Sequence, residues 1–96
     1  MSEVLILEFA DGTAQQYAAV NKILGIDFET GAGDWPGPLE SHVGGFGDSG
    51  LVVVEVWESK EAQAQFMDRL GPALGQAGVP QPTRTEWLTL LGHYKG

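Results

Sequence analysis

Three segments of this chain are apolar on both sides of the strand each would form. Val4-Leu5-Ile6-Leu7 and Leu51-Val52-Val53-Val54 are apolar at every position, and Trp87-Leu88-Thr89-Leu90-Leu91 is nearly so. Successive side chains of a strand point to opposite faces. An antiparallel sheet with one wet face should therefore alternate apolar with polar residues, and these segments do not. Both faces of the sheet need cover. At 96 residues the chain is expected to be one domain spanning residues 1–96, with a thin core. Two helices cover only one face. The economical cover for the other is a second copy of the chain, since symmetric homodimers are the commonest assembly. If roughly ten side chains bury against that copy at ~1.5–3 kcal/mol each, association contributes to folding itself.

The remaining elements follow from local signals. Val4–Phe9 ends at Asp11-Gly12 and reads as a first strand. Thr13 with Gln16 three residues on forms a capping box, Tyr17, Val20 and Leu24 recur at helical spacing, and Gly25 supplies the C-terminal cap. Residues 26–38, with Trp35-Pro36-Gly37-Pro38, read as irregular. Leu39–Phe46 and Leu51–Glu58 form a hairpin around Gly47-Asp48-Ser49-Gly50. Ser59 caps a second helix whose stripe is Ala62, Phe66, Leu70, Ala73, Leu74 and Ala77, and Pro72 is expected to kink or split it. Thr85–Tyr94 forms the last strand. The order is βαββαβ, an α+β, ferredoxin-like fold with a four-stranded antiparallel sheet and both helices on one face.

Composition removes several classes of function. Without cysteine there is no disulfide, thiolate metal site or cysteine nucleophile. A net charge of −8 argues against nucleic acid, which needs clustered Lys and Arg. No run is long enough to span a membrane and no signal segment opens the chain, so a soluble, cytoplasmic protein is expected. The charge is uneven: residues 1–50 carry −7 and residues 51–96 carry −1. Eight of the 14 glycines fall between Gly25 and Gly50, in an acidic connection that serves either as a solubilising loop or as a lid beside a ligand site.

Gly45-Phe46-Gly47-Asp48-Ser49-Gly50 matches the G-x-G-x-x-G pattern, but a strand follows where a dinucleotide site needs a helix. It is a turn, and no cofactor is expected. A symmetric turn centred on Asp48-Ser49 places His42 opposite Glu55, Glu40 opposite Trp57 and Phe46 opposite Leu51, all on one face. A histidine beside a carboxylate is a tunable base, so His42 and Glu55 are the candidate catalytic pair; a satisfied structural contact is the alternative, and a bulge among Gly44, Gly45 and Gly47 would dissolve the pairing. A metal site from His42, His93, Glu40 and Glu55 has no motif behind it, and no metal is expected. Trp57, Trp35, Tyr17 and Phe66 are the candidate ligand-binding residues; they either surround an apolar cavity or fill a small core.

The stretch Val53-Val54-Glu55-Val56-Trp57-Glu58-Ser59, followed by a helix with Ala, Phe and Leu at spacing, resembles the dimeric α+β barrel superfamily, which includes the antibiotic-biosynthesis monooxygenase-like proteins. The resemblance implies two ferredoxin-like sheets paired into a barrel, with a ligand cleft between sheet and helices. It further implies either cofactor-independent monooxygenases of aromatic polyketides or haem-degrading oxygenases. In the haem degraders a tryptophan closes the third strand, a histidine on the next helix binds iron and an asparagine lies on the first strand. Trp57 matches, but the helix Ser59–Ala77 has no histidine and the first strand no asparagine, so haem degradation is disfavoured. By the same carry-over Trp57 faces the cleft, with Glu55 and His42 beside it. Three functions stay open: a cofactor-independent monooxygenase-like enzyme acting on a small apolar or aromatic compound, a non-catalytic homodimer binding a small ligand or a protein partner, and an assembly module.

Overall fold

The computed structural model describes residues 2–27 and 29–94. In chain order its elements are β1 (Glu3–Phe9), α1 (Ala14–Leu24), β2 (Ile26–Asp27), β3 (Ala32–Gly33), β4 (Leu39–Gly47), β5 (Gly50–Trp57), α2 (Lys60–Ala77) and β6 (Arg84–Thr89). The main sheet is antiparallel, in the order β4-β5-β1-β6. This is the α+β, ferredoxin-like arrangement expected from the sequence. The doubly apolar β1 takes a central position, where both of its edges are hydrogen-bonded. Residues 26–38, expected to be irregular, contain one small addition, the β2–β3 hairpin. Its turn is held by the Asp27 carboxylate, which accepts from the backbone N–H of Glu29 (3.0 Å) and Thr30 (3.2 Å).

Both helices start and stop where local chemistry dictates. Thr13 Oγ1 accepts from the Gln16 N–H at 3.1 Å and the Gln16 side chain accepts from the Thr13 N–H at 3.0 Å, a complete capping box. Gly25 ends α1 in the left-handed conformation. Ser59 Oγ caps α2 through the Ala62 N–H at 3.1 Å, and Gly78 closes it. The expected kink or split at Pro72 is not a split: α2 runs through Pro72 as one helix, with the neighbouring Ala73 buried against α1. Packing of that face offsets the hydrogen bond that proline removes.

Two strand expectations need correction. The last strand ends at Thr89, not Tyr94, because its partner runs out: Thr89 pairs with Glu3, the first residue of β1, and only a Leu90 N–H to Ser2 C=O contact (3.3 Å) follows. Glu40 does not face Trp57. The register passes from Leu39–Trp57 to Ser41–Val56, leaving Glu40 as the extra residue of a bulge. Its carboxylate instead accepts from the Ser2 hydroxyl at 2.8 Å. The bulge takes up one residue where the chain leaves Pro36-Gly37-Pro38, and the register beyond it is undisturbed.

The turn of the β4–β5 hairpin depends on Gly50. Its φ is +85°, and a Cβ there would lie 2.5 Å from the Phe9 carbonyl oxygen and 2.7 Å from that of Ala10. Backbone carbonyls cannot swing aside. Gly50→Ala is expected to cost more than the ~1–2 kcal/mol of a left-handed alanine alone, measured as a lower midpoint of urea denaturation.

The helices pack chiefly on one another and lie over one face of the sheet. One apolar cluster gathers Val20, Leu24, Ile26 and Ala73; the other gathers Phe9, Leu51 and Val53 on the sheet. Space remains between them. On the opposite face of the sheet Val43, Val54 and Leu88 stay 61 %, 36 % and 40 % exposed. No helix among the described residues is long and apolar enough to cross a membrane.

Candidate functional site

The site follows from the hairpin register. With Gly47 paired to Gly50 and Phe46 to Leu51, His42 comes opposite Glu55 on the helix-facing side of the sheet. The two side chains meet: His42 Nδ1 lies 2.7 Å from Glu55 Oε2, with both side chains mostly buried. The other carboxylate oxygen, Oε1, accepts from the Trp57 indole N–H at 2.9 Å. On the far side of the imidazole, Nε2 lies 2.6 Å from the Tyr17 hydroxyl. Four residues from three elements therefore form one chain of hydrogen bonds, Tyr17–His42–Glu55–Trp57.

Donor chemistry sets its direction. An ionised carboxylate only accepts, so Nδ1 carries a proton and donates it to Glu55. In the neutral imidazole Nε2 is then the acceptor, and the Tyr17 O–H donates to it. Burial raises the pKa of the Tyr17 phenol above its ordinary value; the Asn21 amide opposes the shift and the Glu55 charge adds to it. The Asn21 side chain also donates to the Tyr17 carbonyl oxygen at 3.0 Å, tying the residue to its own helical turn.

This chain borders a cavity of about 500 Å³ between helices and sheet. Leu7, Phe9 and Val53 form its floor, Leu70 and Leu74 of α2 its roof, and Trp35 one side. Of the candidate residues, His42, Glu55, Tyr17, Trp35 and Phe66 line it. Trp57 does not. It is completely buried beneath the site, its ring packed on Phe66 with centroids 5.7 Å apart. Its position gives Glu55 a donor rather than giving a ligand a surface. Trp35 packs against His42, ring centroids 5.1 Å apart, and its Nε1 is the one buried side-chain polar atom without a partner among the described residues.

A three-donor metal site does not assemble. Glu40 is engaged by Ser2 and His93 lies exposed beyond β6. Among the described residues no group of three or more His, Asp or Glu side chains comes together.

Sequence reasoning placed Tyr17 as an apolar wall and missed its hydroxyl on His42. One signal was present. Gly44 sits two residues from His42 on the same strand face, and a glycine inside a strand often marks a close approach. A Cβ at Gly44 would lie 2.7 Å from the Tyr17 hydroxyl and 2.8 Å from its Cζ.

The whole chain superimposes on a solved structure from Chloroflexus aurantiacus J-10-fl, provisionally assigned as an antibiotic biosynthesis monooxygenase, with a TM-score of 0.65, 15 % identity and full coverage of both chains. The chain shares its α+β fold with that structure. No protein-family model matches the sequence and no curated protein matches it. The likeness to the monooxygenase-like structure is one of fold, and the chemistry must be argued from the side chains.

Proposed function

We propose that this protein is a cofactor-independent, monooxygenase-like enzyme acting on a small apolar or aromatic compound held between sheet and helices. One observation carries the reading: a hydrogen-bonded carboxylate–imidazole pair borders an apolar cavity of about 500 Å³. Oxygen chemistry without a cofactor needs a substrate anion that oxidises readily, a base to form it and a cavity that keeps water away. His42 is the proton acceptor, Glu55 orients it, and Trp57 holds Glu55 in place. Trp35, Tyr17 and Phe66 shape the space beside them. A second copy of the chain covers the exposed valine-rich face of the sheet, in the manner of the barrel fold.

Oxygen uptake by the purified protein, measured across a panel of phenolic and enolisable aromatic compounds, tests the reading. With the compound that turns over, His42→Ala is expected to lower kcat by ~10²–10⁴-fold, the usual contribution of a positioned base. Unchanged turnover removes His42 from the chemistry. The second reading is a non-catalytic ligand-binding homodimer, favoured by the fact that both nitrogens of His42 are already satisfied within the protein. It predicts saturable binding with no oxygen uptake for any compound of the panel.

A further inference from the structure

Both nitrogens of His42 are committed. Nδ1 is held by Glu55 at 2.7 Å and Nε2 by the Tyr17 hydroxyl at 2.6 Å. The ring borders the cavity but has no lone pair left to offer a ligand. Two groups of this chain of hydrogen bonds border the cavity and touch the base. One is the Glu55 carboxylate, which holds His42 with one oxygen and the Trp57 indole with the other. The second is the Tyr17 phenol, the one hydroxyl in the chain. We propose that Tyr17 is the catalytic residue that exchanges a proton with the bound compound, and that His42 and Glu55 act through it. The inference rests on the acid–base reading above and changes which atom meets the substrate.

The step balances as a double proton transfer. The O–H bond of an acidic hydroxyl on the ligand breaks, its electron pair stays on the ligand oxygen, and its proton forms a new O–H bond on Tyr17. Tyr17's own proton moves in the same step to His42 Nε2. The imidazolium so formed lies against the Glu55 carboxylate, so no net charge is added to the buried site. A buried phenol that resists ionising suits this role, because it passes a proton on without standing as a phenolate. The ligand class is an apolar compound with an acidic hydroxyl, a phenol or an enol.

Gly44 is the positioning residue. Its backbone is not in a glycine-only conformation, so its missing side chain serves space alone. That space is filled by the end of the Tyr17 ring, which a Cβ would meet at 2.7–3.0 Å. The clash falls on the tip of a flexible side chain rather than on backbone, so Gly44→Ala keeps the fold and moves the phenol off Nε2. Tyr17, His42, Trp35 and Leu51 also border a neighbouring hollow of about 360 Å³ that reaches the exposed Phe46. The pair thus stands in the wall between the apolar cavity and a second opening, through which the proton returns to solvent.

Para-nitrophenol is a suitable probe, since its ionised form absorbs visible light and the neutral form does not. At a pH where the free compound is mostly un-ionised, the wild-type protein is expected to bind it with an enhanced phenolate spectrum. Tyr17→Phe and Gly44→Ala should each still bind it saturably. In both, the bound ionised fraction should fall about tenfold, the effect of one pKa unit. Ring-nitrogen NMR of His42 should show Nε2 losing its hydrogen bond in both variants. If the two variants ionise the probe as wild type does while His42→Ala does not, His42 acts directly and the proposal falls, with the acid–base reading intact. If His42→Ala also ionises it, or nothing binds saturably, the underlying reading is overturned as well.

Discussion

Trp57→Ala is expected to destabilise the protein by about 3–5 kcal/mol, the range for truncating a large aromatic side chain in a packed core. Trp57 is completely buried, closes β5 and packs on Phe66. A domain of this size is stable by only about 5–15 kcal/mol in total, so the loss leaves a marginal fold. Packing is only part of the effect. The indole N–H is the donor to Glu55 Oε1, and its removal leaves a mostly buried carboxylate oxygen without that partner. Trp57→Phe separates the two contributions. It keeps most of the ring and loses the donor, and should cost about 1–3 kcal/mol, the penalty for one buried polar atom left unsatisfied. Urea denaturation of both variants measures the difference. A loss below about 1 kcal/mol for Trp57→Ala would mean that the site stands without its base of packing.

Val54→Glu is expected to convert a dimer into a monomer at micromolar concentration. Val54 pairs across the sheet with Val43 on one side and Ile6 on the other, on the face turned away from His42 and Glu55. It is 36 % exposed in the single chain and Val43 is 61 % exposed. Among the described residues Val43, Val54 and Leu88 stay uncovered on this face, which is why a second copy is expected there. A two-fold interface uses the same patch twice, so one substitution introduces two carboxylates into it. Burying each without a partner costs several kcal/mol. Sedimentation should give the mass of two chains for the wild type and of one for the variant, and the wild-type Tm alone should rise with concentration. Each chain carries −8, so added salt should tighten the wild-type dimer by screening repulsion. A monomeric wild type at these concentrations would reject the interface.

Much of the fold was legible because its signals are local. Thr13 and Gln16, Ser59, Gly25 and Gly78 act on backbone groups within one helical turn of themselves, and all four helix ends fall where those residues place them. The pairing of His42 with Glu55 was legible for a related reason. A two-residue turn at Asp48-Ser49 sets the register, and the register then holds along the strands until something inserts a residue. The bulge of this hairpin lies at Glu40, beyond the pair, rather than among Gly44, Gly45 and Gly47, and so the pairing survives. The end of the last strand was not legible, because the apolar pattern of Leu90 and Leu91 continues after β1 has no residue left to pair with.

The sequence by itself determined the order of elements, the helix caps, the hairpin register and, through the doubly apolar strands, the demand for cover on both sheet faces. Only the tertiary structure decided what surrounds the His42–Glu55 pair. Tyr17 reaches His42 from α1, and its arrival depends on how closely that helix lies on the sheet, which the side chains of many elements set together. Gly44 permits the contact by what it lacks, and Trp57 turns inward beneath Glu55 rather than toward the cavity. Periodicity fixes the face on which a side chain stands. The distance at which two faces meet is a property of the packed whole, and it makes a histidine on a strand the middle of a chain of hydrogen bonds.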